Sequence, residues 1–111
     1  MILLEFTVRK EITMQQSLLT ISVEYCASWN YTPRAVRLAD EILSDRKIEY
    51  FVKDWTMIPS SGGKFEVIVN GELLFSKKSL GRHAEVNEVH DIIWDFLQPL
   101  LPEGFEFPED D

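Results

Sequence analysis

Apolar and polar residues alternate most regularly near the start of the chain. Leu19, Ile21, Val23 and Tyr25 are separated by Thr20, Ser22 and Glu24, the period of two expected of a strand with one buried face. Thr32-Pro33 follows, an N-cap residue type and then proline at the first helical position. Ala35, Val36, Ala39, Ile42 and Leu43 form one stripe at helical spacing, with Arg34, Arg37, Asp40 and Glu41 largely off it, so this helix should pack on a sheet. Residues 48–52 read as a second strand, and so compact a strand-helix-strand order implies a crossover and a parallel pair. Residues 65–69 and 72–76 flank Asn70-Gly71, whose positive φ values suit the two-residue turn of an antiparallel hairpin. Val89, Ile92, Ile93, Phe96 and Leu97 predict a last helix, capped by Asn87 and ended before Pro99. The order is β-α-β-β-β-α, over residues 17–99. In the preceding extension, residues 1–16, Ile2, Leu4, Phe6 and Val8 alternate like an extra edge strand, with Met14 as an alternative start. Residues 100–111 read as an acidic C-terminal tail.

The length of 111 residues and mass of 12.9 kDa suit one domain. Eleven Lys and Arg against 19 Asp and Glu give a net charge of -8, which disfavours nucleic acid as a partner. Much of that surplus is Glu103, Glu106, Glu109, Asp110 and Asp111 in the tail. Cys26 is the sole cysteine, so there is no disulfide framework, no cysteine-rich zinc site and no sign of an oxidising compartment. The apolar runs are far shorter than a membrane span. Glu5 interrupts the first of them and Arg9-Lys10 follows it, the wrong order for a secretory leader. The chain reads as soluble and cytoplasmic, with no membrane partner. His83 and His90, even with Glu85 or Asp91, match no strict ligand spacing, so no metal is expected. No phosphate loop, dinucleotide fingerprint or Ser-His-Asp order is present.

The order of elements makes a spatial prediction. If the third strand runs antiparallel beside the first, Cys26, Gly62-Gly63 and Lys77-Lys78 meet at one edge of the sheet. The end of the second strand, Lys53-Asp54-Trp55, should arrive there too, at the carboxyl ends of parallel strands where ligands of open α/β sheets bind. Free cysteines are most often small buried hydrophobes. A position after a strand, before a helix and near Lys77, Lys78 and Arg82 instead favours a reactive thiolate. Trp29, Tyr31 and Trp55 are candidates for an aromatic wall beside it. Gly62 and Gly63 permit close backbone approach by a ligand, and Lys77, Lys78 and Arg82 could steer a carboxylate. Pro59 lies six residues before Phe65, so a cis-proline wall before the third strand is not indicated.

The run Val23-Glu-Tyr-Cys26-Ala-Ser-Trp29-Asn-Tyr31-Thr-Pro33, then a helix, then Ser-Gly-Gly-Lys-Phe-Glu-Val67 and a hairpin ending Phe75-Ser-Lys-Lys78, resembles the selenoprotein W/T/H group, or Rdx family. The resemblance covers about residues 19–98. It implies an α/β (α+β), thioredoxin-like fold with a four-stranded mixed sheet, a parallel first pair and a C-terminal antiparallel hairpin. It also implies thiol redox chemistry through a Cys-x-x-Cys or Cys-x-x-selenocysteine pair, with glutathione as co-substrate and no bound cofactor. The first position of the pair falls on Cys26, and Ala27 and Ser28 lie between it and the second, which falls on Trp29. Tryptophan cannot resolve a mixed disulfide, so an internal disulfide cycle is excluded. Two readings follow. In one, Cys26 acts as a monothiol on disulfides, glutathione adducts or peroxide, regenerated by glutathione or a protein thiol. In the other, the chain is a non-catalytic interaction module that has lost its redox pair and pairs as a homodimer through an edge strand or the aromatic cluster. An exposed thiol of lowered pKa marks the first reading, and an inert buried one the second.

Overall fold

The computed structural model describes residues 17–107; the expected strand in residues 1–16 and the choice between Met1 and Met14 lie outside them. The first strand, β1 (Leu19–Cys26), buries Leu19, Ile21, Val23 and Tyr25 and leaves Thr20, Ser22 and Glu24 on the more open face. Helix α1 (Thr32–Leu43) follows, then a one-turn helix α2 (Arg46–Glu49), strands β2 (Val52–Ser60), β3 (Phe65–Val69) and β4 (Glu72–Ser76), a second one-turn helix α3 (Lys77–Leu80), and helix α4 (Glu88–Leu97). The sheet order is β2-β1-β3-β4. β1 and β2 are parallel, whereas β1 with β3 and β3 with β4 are antiparallel. This is the mixed, thioredoxin-like sheet implied by the sequence.

Asn70 and Gly71 take φ values of 52° and 83°, which closes the hairpin with its predicted turn. Ala35, Leu38 and Ile42 of α1 and Val89, Ile93 and Leu97 of α4 are buried with the inward residues of β1 and β3, so the core lies between the helices and one face of the sheet. The stripe predicted on α1 is rotated: Leu38 joins the core and Val36 is exposed. At α4, Asn87 occupies the N-cap position with φ 68° but makes no side-chain cap. The first-turn carboxylate of Glu88 reaches back instead, to the Glu85 N–H at 2.9 Å.

The second strand differs most from expectation. Ile48 belongs to α2, where Asp45 caps the helix by accepting the Lys47 N–H at 2.9 Å. Ile48 and Phe51, three residues apart, are both buried, a helical spacing rather than a strand one. β2 therefore begins at Val52 and continues to Ser60, which pairs with Cys26. Pro59 sits within it without disruption, because β2 is an edge strand. Beyond α4 a short 3-10 turn (Gln98–Leu100) leads into a segment that folds back on the domain. Phe105 and Phe107 pack edge-on against Phe51 at 5.4 and 5.6 Å, and Phe107 stacks on Trp94. The acidic end thus contributes aromatics to the body of the protein.

Candidate functional site

Cys26 ends β1 wedged between two strands. Its N–H donates to the Lys64 carbonyl at 2.8 Å, and the next N–H, of Ala27, donates to the Ser60 carbonyl at 2.9 Å. The chain then turns tightly, Asn30 adopting φ 62° and donating its N–H to Ala27, while the Tyr31 N–H returns to the Cys26 carbonyl at 3.1 Å. Tyr31 is the N-cap residue of α1 and Thr32 already lies inside the helix, so the expected threonine cap is not used. Pro33 takes its place in the first turn.

This turn and the glycine loop aim hydrogen-bond donors at one sulfur. Burial pushes the Cys26 thiol pKa up, but the Ser28 hydroxyl and the N–H groups of Gly63, Trp29 and Ser28 outweigh it, and the net shift is down from the ordinary cysteine value. The Ser28 Oγ lies 3.4 Å from Sγ. No basic side chain is among the causes of that shift, and α1 begins six residues beyond the cysteine. Turn amides therefore do the work expected of a helix dipole and lysines. Cys26 is also 0% exposed, so it combines the lowered pKa of one reading with the burial of the other.

Gly63 explains much of that arrangement. It has φ 75°, and a Cβ built there would stand 2.7 Å from Cζ3 of Trp29. The indole thus lies directly against the glycine whose N–H serves the sulfur, while remaining 58% exposed. Only glycine accommodates both the backbone angle and the ring. Gly62 has φ 77°, and Lys78 Nζ approaches within 3.9 Å of the position its Cβ would take. Lys77 Nζ lies 5.8 Å from the centre of the Tyr31 ring.

The predicted meeting of Cys26, Gly62-Gly63 and Lys77-Lys78 is therefore present, although the two lysines stand on α3, a helical turn capped by Ser76, rather than on a loop. Of the other expected neighbours, Arg82 is engaged by a carboxylate and Trp55 lies farther along the sheet. Arg82 donates both Nη atoms to the Glu88 carboxylate, at 2.8 and 2.9 Å, an attachment that holds the Glu88 pKa down to about 2. Trp55 pairs with Ile21, five strand positions or about 16 Å from Cys26, and donates its indole N–H to Met57 Sδ. Because β2 continues to Ser60, Lys53-Asp54-Trp55 do not reach the thiol edge.

The aromatic wall has other members. Trp29 meets Tyr31 edge-on at 6.1 Å, Tyr31 meets His83 at 4.7 Å, and His83 meets Phe65 at 6.2 Å. Burial, Arg34 and Lys77 all lower the His83 pKa, so its ring is neutral at pH 7. His90 is in another setting, with Nε2 2.7 Å from Asp45 and Nδ1 3.0 Å from Asp91. The two histidines do not converge. Among the described residues no group of three His, Cys, Asp or Glu side chains is placed to hold a metal, and no helix is long and apolar enough to cross a membrane. Nothing in the local pattern around His83 marks it as part of the thiol's surroundings, since its ring partners Tyr31 and Phe65 come from the Cys26 turn and β3.

Comparison with known proteins gives the same fold. A selenoprotein W-related protein from Vibrio cholerae aligns with a TM-score of 0.65 and 24% identity, over 71% of this chain and 96% of its own. A protein from Bordetella parapertussis aligns with a TM-score of 0.66 and 25% identity, over 71% of this chain and 98% of its own. No curated protein matches the sequence. The Rdx family matches residues 20–95, a span from β1 into α4 that includes the Cys26 turn, the glycine loop and the hairpin, and the chain belongs to that family.

Proposed function

We propose that the protein is a monothiol redox protein that works through Cys26, with glutathione or a protein thiol as its co-substrate. The observation that carries this reading is the Ser28 hydroxyl 3.4 Å from Sγ, beside the N–H groups of Gly63, Trp29 and Ser28 that lower the thiol pKa. A cysteine serving only as an apolar filler needs no donors, whereas a thiolate needs its charge met. In the proposed cycle the Cys26 thiolate attacks one sulfur of a disulfide. A Cys26 mixed disulfide forms, the other sulfur leaves as a thiolate, and that thiolate takes a proton from water. A second thiolate, of the glutathione class, then attacks the partner's sulfur in the mixed disulfide. This releases the Cys26 thiolate and leaves the two outside sulfurs joined, so the net change is an exchange in which one half of the original disulfide leaves as a thiol and the outside thiol takes its place in a new disulfide. Trp29, at the position of a resolving chalcogen, makes the second thiol obligatory. Attack also requires the Cys26–Tyr31 turn to open, since the sulfur is covered at rest.

The test is the pH dependence of alkylation at Cys26, followed by intact mass after exposure to oxidised glutathione. A thiolate titrating below the ordinary cysteine range and one glutathione adduct, lost in Cys26→Ser, is the expected result. A high pKa with no adduct would leave the second reading, an interaction module, which full burial of Cys26 favours. Sedimentation at increasing concentration addresses its homodimer version, which a monomer throughout would remove.

A further inference from the structure

Cys26 is buried, yet the four residues that follow it, 27–30, are all exposed. On the side of the turn the sulfur's cover is therefore thin. The other side is fixed by backbone, since the Cys26 N–H is bonded to the Lys64 carbonyl and the Ala27 N–H to the Ser60 carbonyl.

The Trp29 indole closes the thin side. Three atoms of its six-membered ring come within 2.7 to 3.1 Å of where a Gly63 Cβ would stand, and Gly63 itself is buried beneath it. Gly63 is next in the chain to Lys64, the partner of the Cys26 backbone. Chain, hydrogen bond and ring contact thus join Cys26, Trp29, Gly63 and Lys64 in a closed circuit beside the sulfur. The ring contact is its weakest link. The indole N–H has no hydrogen-bond partner among the described residues, the ring meets Tyr31 only edge-on at 6.1 Å, and more than half of the side chain is in solvent. Exposed side chains change rotamer far faster than packed segments of backbone rearrange.

We infer that the Trp29 indole is a gate over Cys26: seated on Gly63 it keeps an incoming electrophile or disulfide from the sulfur, and swung away it admits one. The opening of the turn that the redox reading requires is then the swing of its one large side chain, and the inference rests on that reading for its purpose. The residue that cannot resolve a mixed disulfide would regulate whether one forms. A thiolate with no resolving partner depends on an outside thiol for its return from each reversible oxidised state, so a cover that is mostly shut limits its idle oxidation. Glycine at 63 lets the gate close, because any Cβ there would meet the ring.

The test is the rate of Cys26 alkylation by iodoacetamide, in which the thiolate displaces iodide and a carbon–sulfur bond forms. It is followed across pH in the full chain, in Trp29→Ala and in the milder Trp29→Phe; with one cysteine in the chain, intact mass reads the reaction directly. Minor open states are populated at about 0.1–10%, so removing the ring should raise the rate on the alkaline plateau roughly tenfold or more. The midpoint of the pH profile should stay in place, because alanine keeps the backbone N–H of residue 29 that helps to lower the thiol pKa. Trp29→Phe should fall between the two. A plateau rate in Trp29→Ala no greater than that of the unaltered protein would overturn the gate. So would a faster rate with a displaced midpoint, which would make the indole a brace for the donors around the sulfur. The ratio of plateau rates depends neither on the thiol pKa nor on glutathione. A high pKa with no glutathione adduct defeats the redox reading, and the ratio decides the gate separately.

Discussion

Both ends of the central strand pair are closed by residues in the left-handed region, and they use that conformation differently. At the hairpin end, Asn70 and Gly71 turn the chain, and Asn70 is spent entirely on neighbouring backbone. Its Oδ1 accepts the Thr20 N–H at 2.8 Å, its Nδ2 donates to the Leu18 carbonyl at 2.9 Å, and its own N–H donates to the Thr20 carbonyl at 2.9 Å. At the other end, Asn30, Gly62 and Gly63 also have positive φ, but the N–H groups of Ser28, Trp29 and Gly63 face the Cys26 sulfur. The first arrangement fastens β1 to the hairpin. The second is a concavity of amides suited to an anion. The same backbone device gives a structural clip or a chemical site according to whether a peptide group or a sulfur lies opposite.

The comparison can be broken most sharply with alanine at the two glycines. Gly63→Ala places a Cβ 2.7 Å from Trp29 at positive φ, whereas at Gly71 nothing lies within 4 Å. Thermal or urea unfolding should show a loss of about 2–4 kcal/mol at Gly63 and only about 1 kcal/mol at Gly71. Trp29 fluorescence should change in the first variant alone. Similar losses at both sites would mean that the indole yields freely and the thiol end is as loosely built as the hairpin. Next comes Asn70→Ala, which should cost about 1–2 kcal/mol because two side-chain hydrogen bonds and a left-handed preference are lost together. Cys26 alkylation should be unaffected by it.

A smaller effect tests a point away from both ends. The His90 pKa is raised, chiefly by its bond to Asp45 and then by Asp91. A raised histidine contributes stability that is fully present below its unfolded value of about 6.5 and is lost as pH rises through its folded value. The Asp45 pKa is lowered, burial opposing but His90 and the Lys47 N–H prevailing. Its contribution is present above its unfolded value of about 3.9 and fades as pH falls through its folded value. His90→Gln should therefore cost about 1 kcal/mol near pH 5.5 and less near pH 8.5, measured by unfolding at the two pH values. A cost independent of pH would assign His90 a packing role only. The smallest change in stability, under about 0.5 kcal/mol, is expected for Ser28→Ala on the exposed turn. Its alkylation profile should nevertheless move to higher pH, because one donor to the sulfur is gone. An unmoved profile would show that the backbone amides alone hold the thiolate.

Much of the fold could be read because its signals are local. Alternation in β1, the Asn70-Gly71 turn and the spacing of Val89, Ile93 and Leu97 each depend on residues close in sequence. The start of β2 differs from the pattern because 48–52 is rich in strand-forming residues, while the Asp45 cap and the joint burial of Ile48 and Phe51 draw the chain into a helical turn. For the site, the meeting of Cys26, the glycines and the lysines followed from strand order alone. The pairing of Arg82 with Glu88 and the distance of Trp55 from the thiol did not, since one depends on α4 and the other on a longer β2. His83, in the sequence only a poor match for a metal ligand, sits beside Tyr31 and Phe65 through contacts between segments far apart in the chain.

The sequence by itself determined the family, the parallel pair, the hairpin and the absence of a resolving thiol, because each rests on residue identity or on contacts between neighbours in the chain. The tertiary structure alone decided that Trp29 lies against Gly63, that turn amides rather than lysines meet the sulfur, and that the thiol is covered. Hydrogen-bond direction and burial at Cys26 arise from β2, β3 and the 26–31 turn closing on one point. No single segment carries that information.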